Sequence, residues 1–207
     1  MWPLVEDSEI VKIIKRPQGI TIDNTRHSRK IFELWSKEEL EDKNIYEIVF
    51  DYSNKKDSEY YFNTEQSFNY ADGVVTASYG IATPKSLEDL TWTQEDSDNG
   101  LLPEDKSIGD FKAHGLKSIK KINIKDQASS ILSRTDWHVI KETDVADYSI
   151  PSSIKTYRAD VRTKSNEMET AIDNASDVDA LQALYIYTEQ DDGSVSRPLG
   201  EFPILEE

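Results

Sequence analysis

The side chains best suited to metal binding or proton transfer are few in this chain and far apart. It has three histidines, His27, His114 and His138, and none falls in a spacing such as HExxH that sets two ligands on one helix face. It has no cysteine, which excludes disulfides, cysteine-ligated metal centres and thiol nucleophiles. The histidines therefore favour structural roles, and we expect no metal site and no cofactor.

Acidic residues are abundant, but their spacing does not favour catalysis. The stretch from Asp96 to Gly100 resembles the start of a calcium loop, yet its glycine is fifth rather than sixth and Ser107 stands at the twelfth position, where an EF-hand has glutamate. Adjacent acids such as Glu38 and Glu39 point in different directions and make a poor acid–base pair. No nucleophile elbow, phosphate loop or dinucleotide fingerprint occurs. We expect no catalytic residue and no enzyme.

Composition limits the partners. Lys and Arg number 24 against 40 Asp and Glu, a formal charge of −16, which argues against nucleic acid and anionic membranes as partners. The N-terminus has no basic and apolar signal pattern, and no apolar run reaches the roughly 18 residues of a membrane span. We therefore expect a soluble protein synthesised in a cytoplasm. At 37% hydrophobic residues, two modest cores, or a core completed by a partner, are expected.

Residues 1–83 predict a small, mostly antiparallel, β-rich α+β domain. Glu9 to Lys15 and Ile20 to Ile22 have the pattern of strands, and Ser36 with Glu39 predicts a capping box that starts a short helix. Ile45 to Asp51 is apolar on both faces, which predicts a central strand. Asp72-Gly73 lies between two β-prone runs and predicts a hairpin.

Six aromatic residues fall within or beside these strands, and two interpretations are open for them. They either pair across strands in the core or form a partly exposed docking face, because tyrosine is enriched at interfaces. The residues are Tyr60, Tyr61, Phe62, Phe68, Tyr70 and Tyr79.

Residues 84–110 are rich in acids, proline and glycine, and predict an acidic linker. Residues 111–207 predict a helical module that ends in a short hairpin over Asp192-Gly193. The first helix is expected to bury Leu116, Ile119, Ile122, Ala128 and Ile131. The second is expected to bury Ile154, Tyr157, Val161, Met168 and Ile172, with Ser165 on the same face. This second stripe is long for a two-helix hairpin, so a homo-oligomer is one predicted way to cover it.

Between these helices lies a group of residues that predicts a chain reversal. Thr135 or Asp136 is expected to cap free backbone N–H donors, and Trp137 is expected to be buried as a plug between the helices. Arg158 and Arg162 are expected to fork onto carboxylates such as Asp136. The set is Thr135, Asp136, Trp137, Pro151, Tyr157, Arg158 and Arg162.

A helix that ends in Thr-Asp-Trp, a loop with Ile-Pro and a helix with Tyr-Arg follow one another here, and together they resemble the tail assembly chaperone-like module of bacteriophage tail proteins. The resemblance rests on Thr135-Asp136-Trp137, then Ile150-Pro151, then Tyr157-Arg158 with Arg162 four residues on, and it spans about residues 116–205. The ending Phe202-Pro203 looks like the family's terminal Trp-Pro. The resemblance implies a tail structural or tail-fibre-associated protein, located in the virion tail, that docks to other tail or tail-fibre proteins. Alternatives are a transient tail-fibre assembly chaperone absent from the mature particle and, remotely, a tail-attached hydrolase.

Overall fold

Two units make up the computed structural model, Met1–Thr83 and Pro84–Glu207. The structure describes residues 1–22 and 24–205, so the final two residues of the predicted helical module, Glu206 and Glu207, lie outside it. Strands lie mostly in the N-terminal half and helices in the C-terminal half. The predicted α+β class is confirmed.

The first unit begins with two antiparallel strand pairs and two short helices. Strand β1 (Trp2–Glu6) pairs with β2 (Glu9–Ile14), and β3 (Ile20–Ile22) pairs with β4 (Thr25–His27). Helices α1 (Ile31–Leu34) and α2 (Lys37–Glu41) follow. Their shared core consists of Leu4, Ile14, Ile20, Ile22, Ile31, Leu40 and Ile45.

The capping box predicted at the start of α2 is confirmed. Glu39 N–H donates to the Ser36 hydroxyl at 3.2 Å, and Ser36 N–H donates to Glu39 Oε2 at 2.7 Å. These two bonds satisfy backbone donors that a helix start leaves free, so α2 begins where the local chemistry sets it.

The second half of the first unit is a three-stranded sheet of order β5-β8-β7. Its strands are β5 (Ile48–Asp51), β7 (Gln66–Ala71) and β8 (Val74–Tyr79), with the two-residue strands β6 (Tyr61–Phe62) and β9 (Thr83–Pro84) beside them in sequence. The hairpin at Asp72-Gly73 is confirmed, and both residues have the positive φ that such a turn requires. The predicted central position of β5 is wrong, because among the described strands β5 pairs with β8 alone.

The predicted linker 84–110 differs from the structure. It contains β10 (Leu90–Thr91) and α3 (Gln94–Asp98), and β10 pairs with β11 (Phe111–Ala113). Thr93 and Asp96 form a capping box for α3, and Lys112 Nζ lies 2.6 Å from Asp96 Oδ1. The acids that suggested a solvated linker are thus used as caps and ion-pair partners.

The second unit continues with four helices and a hairpin. They are α4 (Leu116–Ser133), α5 (Asp136–Asp144), α6 (Ser152–Asp173), α7 (Val178–Ala183), β12 (Thr188–Glu189) and β13 (Val195–Ser196). The predicted two-helix reversal is wrong in one respect, since α5 occupies the stretch expected to be a loop. The predicted hairpin over Asp192-Gly193 is confirmed. None of the helices described in residues 1–22 and 24–205 is long and apolar enough to cross a membrane.

Helices α4 and α6 pack against each other and form the core of this unit. On α6, the predicted Ile154, Val161, Met168 and Ile172 are buried, together with Ser165. This stripe is buried within the chain, so it gives no reason for self-association.

On α4 the predicted stripe is partly wrong. The buried residues recur at every fourth position, Leu116, Lys120, Ile124 and Ala128, whereas Ile119 and Ile122 are exposed. The Lys120 ammonium lies 4.3 Å from the centre of the Tyr185 ring, and this contact explains how a lysine occupies a core position.

Candidate docking site

The side chain of Arg158 ties α6 to the end of α4. It is buried, and its Nη1 donates to the Leu132 carbonyl oxygen at 2.8 Å and to the Thr135 hydroxyl at 2.6 Å. Its Nη2 lies 2.8 Å from Asp136 Oδ1. The predicted contact between Arg158 and Asp136 is confirmed, and one guanidinium binds three groups at the helix junction.

Thr135 explains why α4 ends at this point. Its side chain is buried, and its hydroxyl donates to the Leu132 carbonyl oxygen at 2.9 Å while it accepts from Arg158. The prediction that Thr135 caps backbone N–H donors is therefore wrong, because its side chain makes no such bond at the start of α5. A hydroxyl bonded back to the preceding turn competes with helix continuation. Arg162 donates to the Arg158 carbonyl oxygen at 3.2 Å, a contact that differs from the predicted fork onto Asp136.

Trp137 does not plug the core, and the prediction that it is buried is wrong. It is 53% exposed. The physical reason is that Thr135 and Arg158 already close the junction by hydrogen bonds. The indole instead stacks on the His138 ring, with centroids 3.6 Å apart and planes at 27°.

An aromatic and basic cluster surrounds this tryptophan. A ring nitrogen of His138 is hydrogen-bonded to the Tyr148 hydroxyl. The Lys141 ammonium lies 4.4 Å from the centre of the Tyr148 ring and 5.8 Å from that of Trp137. We call Trp137, His138, Lys141 and Tyr148 the α5 cluster.

Helix α5 presents further apolar side chains to solvent. All nine of its residues are described, and none is buried. Val139 and Ile140 are exposed, as is Val145 at the helix end. Isolated helices shorter than about 12–15 residues are marginal in water, so a short helix without a buried residue is a candidate for packing against a partner.

The loop after α5 is fastened by Glu142. Its carboxylate accepts from the Ile150 N–H at 3.1 Å and lies 3.1 Å from Lys155 Nζ. The Ile150 N–H, with a smaller contribution from Lys155, lowers the pKa of Glu142. Pro151 stands directly before the first helical residue, Ser152, so it marks the start of α6 nearly as predicted.

Tyr157 is only half-buried and lies next to the chain's C-terminal segment. Together with Ile131 and Thr135 it lines a cleft of about 380 Å³ whose other wall is Phe202 to Leu205. The core position expected for Tyr157 is taken by Arg158, one residue further along α6.

The docking face predicted in the first unit is contradicted for two of its six residues. Tyr60 and Tyr61 are buried, because a chain with few apolar residues uses them in its core, whereas Phe62 is exposed. Tyr70 is half-buried and donates a hydrogen bond to the Tyr46 hydroxyl at 3.0 Å. This bond, with burial, raises the pKa of Tyr46 to about 12.

The start of α4 depends on an acid from the segment predicted to be a linker. Asp89 Oδ1 accepts from the Gly115 N–H at 2.8 Å. That bond, assisted by the side chains of Ser118 and His114, lowers the pKa of Asp89.

We expect acid to destabilise the second unit through this contact. A carboxyl whose pKa is lower in the folded state contributes stability above its unfolded pKa, about 3.9, and loses it as the pH falls through the folded value. The urea midpoint should therefore fall as the pH is lowered from about 5 to about 2, and the fall should be smaller in Asp89→Asn. Asp98→Asn, on the exposed face of α3, is the control. An unchanged pH dependence in Asp89→Asn would contradict this role.

Within residues 1–22 and 24–205, no group of three or more histidine or acidic side chains is placed to hold a metal ion. No family model matches the chain, and searches of curated proteins and of solved structures give no match.

Proposed function

We propose that this chain is a bacteriophage tail protein, structural or associated with the tail fibres, that works by docking to other tail proteins rather than by catalysis. The support from the sequence is the resemblance carried by Thr135-Asp136-Trp137 and Tyr157-Arg158. The observation that carries the docking mechanism is α5, whose Trp137, Val139 and Ile140 are exposed.

The mechanism is a helix laid into an apolar groove of the partner. Tryptophan is among the residues most enriched at binding hot spots, and it contributes most to affinity when the surrounding structure holds it in a fixed position. Arg158 supplies part of that frame, since it fixes Thr135 and Asp136 immediately before Trp137. The formal charge of −16 keeps free copies apart until a specific surface captures them.

Mass spectrometry of gradient-purified particles of the phage that encodes the chain tests the proposal. A tail component is present at a fixed ratio to the other tail proteins. A transient assembly chaperone is absent from the particles but present on immature fibres. Absence from both would contradict the proposal.

Replacing Trp137 with alanine should separate docking from folding. Because the indole is 53% exposed, we expect the free energy of unfolding to change by less than about 1 kcal/mol. Loss of a binding hot spot of about 2 kcal/mol should reduce incorporation into tails or fibres about 30-fold.

Phe111→Ala is the matched control. Phe111 is 52% exposed and also lies against a histidine, His114, but it is outside α5. Incorporation should stay at the wild-type level in this variant. Equal incorporation of the Trp137 variant and wild type would exclude α5 as the docking element.

A further inference from the structure

The sheet of the first unit is open along β5. In the part of the chain that the structure describes, the order β5-β8-β7 leaves β5 with a neighbouring strand on one side. Val49 is 56% exposed and Phe50 is 41% exposed, so apolar side chains border the open edge on both faces. An edge strand offers unpaired backbone N–H and C=O groups to another extended chain.

The two faces of this edge differ in chemistry. Successive side chains of a strand point to opposite faces, so Phe50 and Tyr52 share one face. Their rings stack with centroids 5.9 Å apart and planes at 6°. Glu47 and Asp51 flank Val49 on the other face and make it acidic.

The aromatic face continues beyond the strand. The centre of the Tyr79 ring lies 6.1 Å from that of the Tyr52 ring. The Lys55 ammonium lies 5.5 Å from the centre of the Tyr52 ring and 5.4 Å from that of the Tyr79 ring. Asn54 donates to the Tyr79 carbonyl oxygen at 3.1 Å and fixes the turn that follows β5. The edge is therefore bordered by a stretch of aromatic surface longer than β5 itself.

A second copy of the chain is a poor occupant of this edge. Antiparallel pairing of two β5 strands about Val49 would set Glu47 of each copy opposite Asp51 of the other, and like charges directly opposite are destabilising. The register shifted by one residue would align the aromatic face of one copy with the acidic face of the other. Pairing about Phe50 would set Val49 of each copy opposite Asp51 of the other, so an apolar side chain would face a charge. The formal charge of −16 on each copy adds to the repulsion.

We propose that β5 binds an extended segment of another protein by strand addition. Backbone hydrogen bonds supply the attachment, and side-chain alternation supplies the choice of partner. The segment alternates apolar residues, which face Phe50 and Tyr52, with basic residues, which face Glu47 and Asp51. This inference goes beyond the proposed function, since it concerns the first unit and holds whether or not α5 docks.

Binding of short synthetic peptides to the full chain tests the proposal. The probe is a peptide of alternating valine and lysine, and its control has the same composition with the lysines and valines in separate blocks. We expect the alternating peptide to bind about tenfold more tightly. Amide exchange in Ile48–Asp51 should slow when it binds, because the outward N–H groups become bonded.

Charge reversal sharpens the test. In Asp51→Lys, the preference should shift to a peptide of alternating valine and glutamate, whereas Glu65→Lys, the same charge change at an exposed position before β7, should leave the preference unchanged. Circular dichroism confirms that both variants are folded.

Three results would overturn the proposal. The two lysine peptides could bind equally, which would show charge attraction alone. Protection could appear in β7 instead of β5. Amide protection in β5 that grows with protein concentration without peptide would show that a second copy is the occupant. None of these results depends on whether the chain is found in phage particles.

Discussion

Replacing Arg158 with alanine should lower the free energy of unfolding of the second unit by about 3 kcal/mol. The side chain is buried, and its removal leaves the Leu132 carbonyl and the Thr135 hydroxyl without the guanidinium that both contact. A buried group left unsatisfied costs about 1–3 kcal/mol, and hydrogen bonds to charged groups contribute about 1.5–3 kcal/mol. Asp136 adds less, because it is itself exposed and regains water.

Urea unfolding followed by circular dichroism measures this effect. Arg158→Lys should fall between wild type and alanine, because an ammonium cannot span three acceptors as the planar guanidinium does. Arg162→Ala is the matched control on the same helix, since Arg162 is exposed and donates to a carbonyl oxygen at its own helix surface. Its cost should stay within about 0.5 kcal/mol. Equal costs for the two arginines would show that the junction is not held by Arg158.

Ile172→Ala should be the other strongly destabilising substitution, at about 2–5 kcal/mol. Ile172 is fully buried in the last turns of α6, and truncation of a buried isoleucine loses its transfer free energy and leaves a cavity. The same urea titration should show a lower midpoint with little change in slope, because the surface exposed on unfolding is nearly the same.

Ile119→Ala on α4 is the matched control for that substitution. Ile119 belongs to the apolar stripe expected from the sequence, yet it is exposed. We expect its truncation to cost less than about 1 kcal/mol. If both isoleucines cost the same, the face of α4 that packs against α6 is not the one described.

Features set by neighbouring residues could be predicted from the sequence. The Ser36–Glu39 capping box and the Asp72-Gly73 hairpin depend on local backbone chemistry, and both are found where expected. The stripe on α6 is confirmed except at Tyr157, because apolar side chains at helical spacing mark the buried face. The spacing of apolar residues and the residue types in a turn are both properties of short stretches of sequence, so they can be recognised without the rest of the chain.

Features set by distant residues could not be predicted. Arg158 is one of the buried residues of α6, although charged residues are ordinarily expected at the surface. It lies four residues after Ile154 and three before Val161, and this helical spacing could have placed it on the buried face. Helix α5 is not predictable in this way, because it has no buried face to produce a periodic pattern. The apolar pattern of β5 predicts a central strand, but such a pattern does not depend on how many strands lie beside it. In the structure β5 lies at the edge of the sheet.

The contact between Asp89 and Gly115 determines where the chain can be divided without separating α4 from the residues that hold its start. Gly115 lies so close to the preceding segment that a Cβ there would be 2.2 Å from the Glu88 carbonyl oxygen. A gene segment joined near residue 110 would carry α4 without Asp89, which accepts from the Gly115 N–H, and without the backbone that Gly115 lies against. A join at residue 84 would carry both, so a second unit that keeps its own contacts begins with the acidic stretch rather than after it.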